Sequence, residues 1–160
     1  MARKEPPRAR TSRRLGAGKR FAIVAASFNR TLTDRLVASA RRTLLAHGVD
    51  AADVEVVRTP GSLEIPQAAL RIARRGRVHA VIGLGVVIRG GTIHFELVAE
   101  NAVAGLQQAA LMSGVPMTSG IVCAETPDQA SARAGGRPDL DRGAEAALAA
   151  LEMAELFEHL

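Results

Sequence analysis

The chain has 160 residues, 48% of them apolar, and a formal net charge of +5 at pH 7. This length suits one domain with a single core. The positive charge is concentrated in residues 1–20, which hold eight Lys or Arg and one Glu, so the other 140 carry 13 basic and 15 acidic side chains. A body with a net charge of −2 and only four aromatic residues argues against nucleic-acid binding by the body.

Composition and hydropathy also argue against a membrane span, a secretory signal and cysteine-based sites. No apolar run approaches the roughly 18 residues of a membrane span, and the N-terminus lacks the hydrophobic segment of a secretory signal, so we expect a cytoplasmic protein. Cys123 is the only cysteine, which excludes an internal disulfide and a cysteine-based zinc cluster; we interpret it as a small core residue. Residues 1–20, rich in Arg and Pro, are typical of a disordered extension, and residues 21–160 form the predicted domain.

Apolar runs and helical patterns alternate along the rest of the chain. Continuous apolar runs such as residues 21–27 are typical of buried parallel strands. The predicted elements are, in chain order, a strand over 21–27, a helix over 34–47 capped by Thr31 or Thr33, a strand over 54–57, a helix over 63–75, a strand over 78–88, a helix from Gly91 or Thr92 to about 113, a strand over 117–123, a short helix from Thr126 to near 135, and a helix over 141–157. The alternation predicts an α/β three-layer sandwich with a four-stranded parallel sheet and flavodoxin-like winding.

Four segments lie at or just after the predicted strands. They are residues 28–29, 61–64, 90–94 and 119–126. Because the carboxyl ends of parallel strands share one edge of a sheet, we expect these segments to converge at one ligand site.

The segment from Val86 to His94 is the most informative one. The turn Gly90-Gly91-Thr92 ends an apolar strand and starts a helix, so its backbone N–H groups and the Thr92 hydroxyl form a seat for a phosphate. His94 falls in the first helical turn, where the helix dipole favours the neutral imidazole, a proton acceptor; a structural or merely exposed histidine is the alternative. No histidine or carboxylate cluster accompanies it, so a metal site has no support.

Two nucleotide-binding motifs are nearly matched in this region. The segment approaches the P-loop pattern but has Gly91 where the lysine belongs, which argues against an ATPase. Gly83 and Gly85 lie inside the predicted strand rather than at its end, so the dinucleotide-binding spacing is not met.

Three further side chains have both a structural and a functional interpretation. Phe28, after a strand, is either a core residue or lies flat against a planar heterocycle. Glu64, in a first helical turn, either interacts with the helix dipole or accepts hydrogen bonds from ligand hydroxyls. Arg133 is one arginine among many, and nothing in its neighbourhood distinguishes it.

Five segments together carry a resemblance to a known family. They are SFN at 27–29, PGSLEIP at 60–66, GLGVVIRGGTIHF at 83–95, DQA to RAG at 128–135, and GAEAA at 143–147 followed by Glu152-Met153. In this order they resemble the 6,7-dimethyl-8-ribityllumazine synthase family over about residues 21–157. The resemblance implies a transferase of riboflavin biosynthesis that condenses 5-amino-6-(D-ribitylamino)uracil with 3,4-dihydroxy-2-butanone 4-phosphate. Phosphate and water are released, and no cofactor or metal is needed.

The resemblance also implies the roles of individual residues. Phe28 stacks on the pyrimidine; Ser62, Leu63 and Glu64 hold the ribityl chain; Val86, Val87 and Ile88 meet the pyrimidine edge; Ser119 lies over the heterocycle; Gly91, Thr92 and Arg133 bind the phosphate; and His94 carries protons. Family members form pentamers whose sites lie between subunits, so Ser119 and Arg133 would face the neighbour's Phe28 and His94. Some members pack twelve pentamers into a shell, and riboflavin synthase is a candidate partner.

Three departures from the family pattern bear on these expectations. Ser119 stands where many members carry Phe, and Gly91 replaces Ala, Glu or Gln. The connector over 136–142 contains Pro138 and is one residue longer, although Arg142 keeps the usual positive charge, so we expect a pentamer or decamer rather than a shell. A non-catalytic flavin- or lumazine-binding module is the alternative to an enzyme, and it would not need His94 or Arg133. A third hypothesis is nucleic-acid binding through the basic tail.

Overall fold

The structure is a computed structural model that describes residues 14–160, in which four parallel strands form one sheet of order β2-β1-β3-β4. The strands are β1 (Phe21–Ala26), β2 (Val54–Thr59), β3 (Ala80–Ile88) and β4 (Met117–Ala124). The helices are α1 (Arg30–Ala46), α2 (Ile65–Ala73), α3 (His94–Ser113), α4 (Pro127–Ser131) and α5 (Arg142–Glu158). Short 3-10 turns cover Ala51–Asp53, Ser62–Glu64 and Pro138–Leu140, and an irregular turn covers Ala132–Gly136. The predicted α/β sandwich with a four-stranded parallel sheet is confirmed.

Two apolar layers flank the sheet and explain the unbroken apolar run of β1. Phe21, Ile23 and Ala25 belong to the cluster that includes residues of α1 and α5. Ala22 and Val24 belong to the opposite cluster, with residues of α2 and α3. Every residue of β1 is buried because a helix layer covers each face of the central strands.

The glycines inside β3 allow close packing. A Cβ on Gly85 would lie 2.3 Å from Ser62 Oγ, and a Cβ on Gly83 would lie 2.8 Å from Leu106 Cδ2. Both positions therefore let neighbouring elements approach the sheet more closely than a side chain would permit. These glycines are packing residues, as their position inside the strand indicates.

The start of α1 differs from the prediction. The helix begins at Arg30, after Asn29 in a left-handed conformation, rather than at residue 34. Thr33 is buried and its hydroxyl donates to the Arg30 carbonyl within the first turn, so it is not the cap. Thr126 is the cap of α4 as predicted, since its Oγ1 accepts from the Gln129 N–H at 3.2 Å.

Cys123 is a second correction. It is exposed on β4 rather than part of the core. The strand lies at one edge of the sheet, and its residues on the side of Cys123 are only partly covered by the helix layer. Neighbouring atoms still shield the sulfur from part of the solvent, and this desolvation raises the pKa of the thiol above its ordinary value, so the thiol form is favoured.

Residues before β1 also pack against the body. Leu15 is part of the core, and the Lys19 side chain is only 7% exposed. Its ammonium donates to Glu155 at 3.0 Å and lies 3.1 Å from Glu158, which ties this segment to the end of α5. The packed body therefore includes residues 14–20, whereas the rest of the predicted tail lies outside the described residues. No helix within 14–160 is both long and apolar enough to cross a membrane.

Candidate active site

A cavity of about 530 Å³ lies at the carboxyl ends of β1, β2 and β3. Parallel strands place these ends at one edge, as expected for a ligand site in this architecture. Three of the four segments predicted to converge contribute to it. The predicted site residues that line it are Phe28, Ser62, Leu63, Glu64, Val86, Val87, Ile88, Thr92 and His94.

Phe28 forms one wall of this cavity. Its side chain is 71% exposed, so the interpretation as a core residue is wrong. A large apolar ring that lines a cavity and remains open to solvent offers a flat surface to a planar ligand. Leu63, 48% exposed, is a second apolar side chain at the cavity.

The turn after β2 places a carboxylate at the cavity. The Gly61 N–H donates to Glu64 Oε2 at 2.8 Å, which fixes the side chain over the start of the turn. Ser62 is buried beneath this turn, against Gly85 of β3. One carboxylate oxygen of Glu64 thus accepts a hydrogen bond within the turn. Because Glu64 also lines the cavity, its carboxylate can accept hydrogen bonds from ligand hydroxyls.

The turn after β3 also lines the cavity. Thr92 Oγ1 accepts from the His94 N–H at 3.3 Å, and His94, the first residue of α3, is exposed. Gly90 and Thr92 line the cavity, whereas Gly91 is exposed beside it. The backbone and hydroxyl of this turn lie at the positive end of a 20-residue helix, which is suitable for an anion.

Arg89 holds this turn in place. Its Nε donates to Glu125 Oε2 at 2.5 Å, its Nη1 donates to Glu96, and its guanidinium lies 4.5 Å from the centre of the Phe95 ring. The hydrogen bonds that Arg89 donates to Glu125 and Glu96 raise the pKa of Arg89, and the bond to Glu96 lowers the pKa of that carboxyl. The end of β3, the start of α3 and the end of β4 are therefore joined by charge pairs.

Sequence reasoning missed two lining residues on α3. Phe95 and Val98 line the cavity beside His94. The signal for Val98 was available, because a residue four positions after His94 lies on the same side of a helix.

Ser119 and Arg133 do not line this cavity. Ser119 is exposed on β4 and lines a separate cavity of about 720 Å³ with Arg142 and Glu145. Arg133 lies in the irregular turn after α4, and its Nη1 donates to the Gln129 carbonyl at 3.2 Å. Within a single chain, the fourth segment therefore does not line the cavity with the other three.

Among residues 14–160 there is no group of three or more His, Cys, Asp or Glu side chains arranged to hold an ion. The chemistry that the cavity offers comes from an aromatic face, a carboxylate, an anion seat and an imidazole.

Comparison with known proteins identifies the family of the chain. The family model described as 6,7-dimethyl-8-ribityllumazine synthase matches residues 18–158. A protein of that name from Halorhodospira halophila is 50% identical over 141 residues, which cover 88% of this chain and 90% of the relative. One from Xanthomonas oryzae pv. oryzae is 46% identical, with 88% and 91% covered. A chloroplastic one from Arabidopsis thaliana is 46% identical, with 90% and 63% covered. The cavity lies within the matched residues, and the chain belongs to the 6,7-dimethyl-8-ribityllumazine synthase family.

Proposed function

We propose that the chain condenses 5-amino-6-(D-ribitylamino)uracil with 3,4-dihydroxy-2-butanone 4-phosphate to give 6,7-dimethyl-8-ribityllumazine, a step of riboflavin biosynthesis. One observation carries this proposal in particular. A single cavity presents the exposed ring of Phe28, the Glu64 carboxylate and the anion seat at Thr92 beside His94. These groups match a flat heterocycle, a polyhydroxyl chain and a phosphate, respectively.

Each group has a proposed task in the reaction. Phe28 stacks on the pyrimidine, Val86, Val87 and Ile88 contact its edge, and residues 62–64 bind the ribityl chain. The amine of the pyrimidine attacks the ketone to form an imine with loss of one water, phosphate is eliminated, and ring closure releases a second water. His94 moves protons between these groups, and the cavity contributes by holding the two substrates in contact.

The phosphate subsite is proposed to include Gly91, Thr92 and Arg133. Because Arg133 and Ser119 lie outside the cavity, we propose that they belong to a site formed with a neighbouring chain. An unpartnered apolar surface on α3 supports association: Ile93 is 73% exposed and Leu111 is 77% exposed, with Leu97 and Met112 also exposed. Several exposed large apolar side chains along one helix are typical of a contact region.

We propose a homopentamer, or two pentamers together, with one site at each junction. The test is sedimentation of the intact protein beside Leu97→Glu on α3 and Leu45→Glu on α1, two exposed leucines on different helices. The α3 substitution should dissociate the assembly and the α1 substitution should not. A monomeric parent protein, or equal effects of both substitutions, would contradict the proposed interface.

The activity is tested by mixing purified protein with both substrates and following lumazine absorbance. A rise well above the spontaneous rate is expected. If lumazine binds but its formation stays at the background rate, the chain is a binding module and the proposed activity is wrong.

A complementation experiment tests the shared site. Phe28→Asp and Arg133→Ala should each impair turnover, but co-expression should restore it, because about a quarter of the sites then combine two intact halves. The matched control combines Phe28→Asp with Glu64→Ala, which affect the same cavity and should not complement. Restoration in the control, or its absence in the first pair, would contradict a site made by two chains.

Three further proposals concern the setting of the enzyme. We propose a cytoplasmic location, and riboflavin synthase as a partner because it would consume the lumazine product. The catalytic domain is proposed to span residues 21–160, with residues 14–20 packed against it and the basic segment before them as an extension.

A further inference from the structure

Asn29 has an unusual backbone conformation directly beside the cavity. With φ 55° and ψ 46°, it is the one residue other than glycine with a positive φ among residues 14–160. Side chains of L-residues disfavour this left-handed region, and Asn tolerates it better than most. The conformation occurs where the chain leaves β1 and turns into α1, immediately after Phe28.

The Asn29 side chain forms a hydrogen bond to β3, the strand whose last residues line the cavity. Its Nδ2 donates to the Val86 carbonyl at 2.8 Å. The ladder between β1 and β3 ends at the pair Ala25 and Leu84, whereas β3 continues to Ile88 with only β4 beside it in the ladder. The side-chain amide therefore provides a donor to β3 at the point where the backbone of β1 has turned away.

The backbone of Phe28 is held from the other side. Its N–H donates to the Pro60 carbonyl at 3.1 Å, and the Ser27 N–H donates to the Thr59 carbonyl at 2.7 Å. Phe28 thus lies between a backbone bond to the turn after β2 and the bond from Asn29 to β3. If only one of these two bonds were present, the chain could rotate about that bond.

We propose that Asn29 is a positioning residue for the Phe28 ring: its left-handed backbone and its amide bond to Val86 together fix the ring at the cavity wall. Asn29 does not itself line the cavity. The inference rests on the proposed function only in taking the pyrimidine as the ring that Phe28 contacts.

Three substitutions separate the two parts of this device. Asn29→Gly keeps access to the left-handed conformation and removes the amide. Asn29→Asp keeps the shape of the side chain but cannot donate to the carbonyl when ionised. Asn29→Ala removes both the amide and the tolerance for the conformation. Thr43→Val is the matched control, because it removes a side-chain bond to a carbonyl, Thr43 Oγ1 to Ser39 at 3.0 Å, near the other end of α1.

The readouts are the KM for each substrate and the fluorescence-detected Kd for 6,7-dimethyl-8-ribityllumazine, together with the melting temperature. The loss of one such hydrogen bond predicts a rise of about three- to tenfold in the pyrimidine KM and the lumazine Kd for Asn29→Gly and Asn29→Asp. Asn29→Ala should show a larger rise. The KM for the phosphate substrate should stay within about twofold of the parent value in all three Asn29 variants, because Asn29 does not contact the phosphate seat. Thr43→Val should leave both KM values unchanged, because Thr43 lies near the other end of α1.

Several results would overturn the inference. An unchanged pyrimidine KM in Asn29→Gly would show that the amide bond does not position the ring. Equal rises of both KM values, or the same change in Thr43→Val, would show a general loss of structure instead. If the parent protein neither binds lumazine nor forms it, the proposed function is wrong. If the parent protein is active but the Asn29 substitutions have no effect, only the inference about Asn29 is wrong.

Discussion

Gly85→Ala is predicted to disturb the proposed ribityl-binding wall through one close contact. The added Cβ would lie 2.3 Å from Ser62 Oγ, 3.2 Å from Ser62 Cβ and 3.3 Å from Ile65 Cδ1. Rotation of the hydroxyl relieves only the first contact, so the turn over Ser62–Glu64 must move outward. Overpacking of a well-packed interior costs about 1–3 kcal/mol. For a domain of this size, that loss lowers the Tm by roughly 2–12 °C.

The assay combines thermal unfolding at equal protein concentration with the pyrimidine KM. Gly83→Ala is the control, since it adds a methyl group to the same strand but meets mainly the end of the Leu106 side chain. Both variants should lose stability, but only Gly85→Ala should raise the pyrimidine KM. Adding Ser62→Ala to Gly85→Ala should recover part of the lost stability. Full stability and an unchanged KM in Gly85→Ala would refute the reasoning.

Four other outcomes are expected. Burial lowers the pKa of Lys19, but the two α5 carboxylates outweigh this effect and raise the pKa above its ordinary value of 10.5. The contribution of the Lys19 ion pairs to folding stability is therefore complete below pH 10.5 and is lost as the pH rises through the raised pKa. Lys19→Met should therefore lack this alkaline loss in urea titrations, and identical pH profiles would contradict the pairing. Asp141→Ala should cost about 1–3 kcal/mol in urea unfolding because Asp141 caps α5 and accepts from buried Ser39; a cost no greater than that of Ser39→Ala would be inconsistent with the cap. Arg133→Ala should raise the phosphate-substrate KM about tenfold more than the pyrimidine KM, and equal rises would disprove its assignment. His94→Ala should lower kcat by less than the roughly 10²–10⁴-fold typical of a general base, because positioning supplies much of the acceleration; a larger loss would make proton transfer dominant.

The strands and the sheet type could be predicted because buried parallel strands have a direct signature. The run from Phe21 to Ala26 is continuously apolar, and both of its faces are covered. The start of α1 could not be predicted in the same way. A helix that follows a left-handed Asn29 has no Ser or Thr cap, so the two nearby threonines were misleading.

Strand positions account for the other differences. Cys123 has apolar neighbours in sequence, but β4 lies at the edge of the sheet, and sequence alone does not reveal how far a helix covers an edge strand. Ser119 is the third residue of β4 and pairs with Gly83 in the middle of β3, so it lies before the carboxyl edge of the sheet. The expectation that all strand ends meet holds for β1, β2 and β3 around the cavity, whereas β4 contributes residues to another surface. Glu64 and Thr92 could be placed at the cavity because the turns after β2 and β3 combine polar side chains with helix starts.

The anchoring of Lys19 to the end of α5 has a practical consequence for handling the protein. This anchor precedes the amino end of β1, whereas the cavity opens beyond the carboxyl end of the same strand. Six residues of strand separate the two by about 20 Å. A fluorophore or a surface linker attached ahead of residue 14 would therefore start on the side opposite the cavity, which makes the N-terminal side suitable for immobilising the protein with the cavity left open.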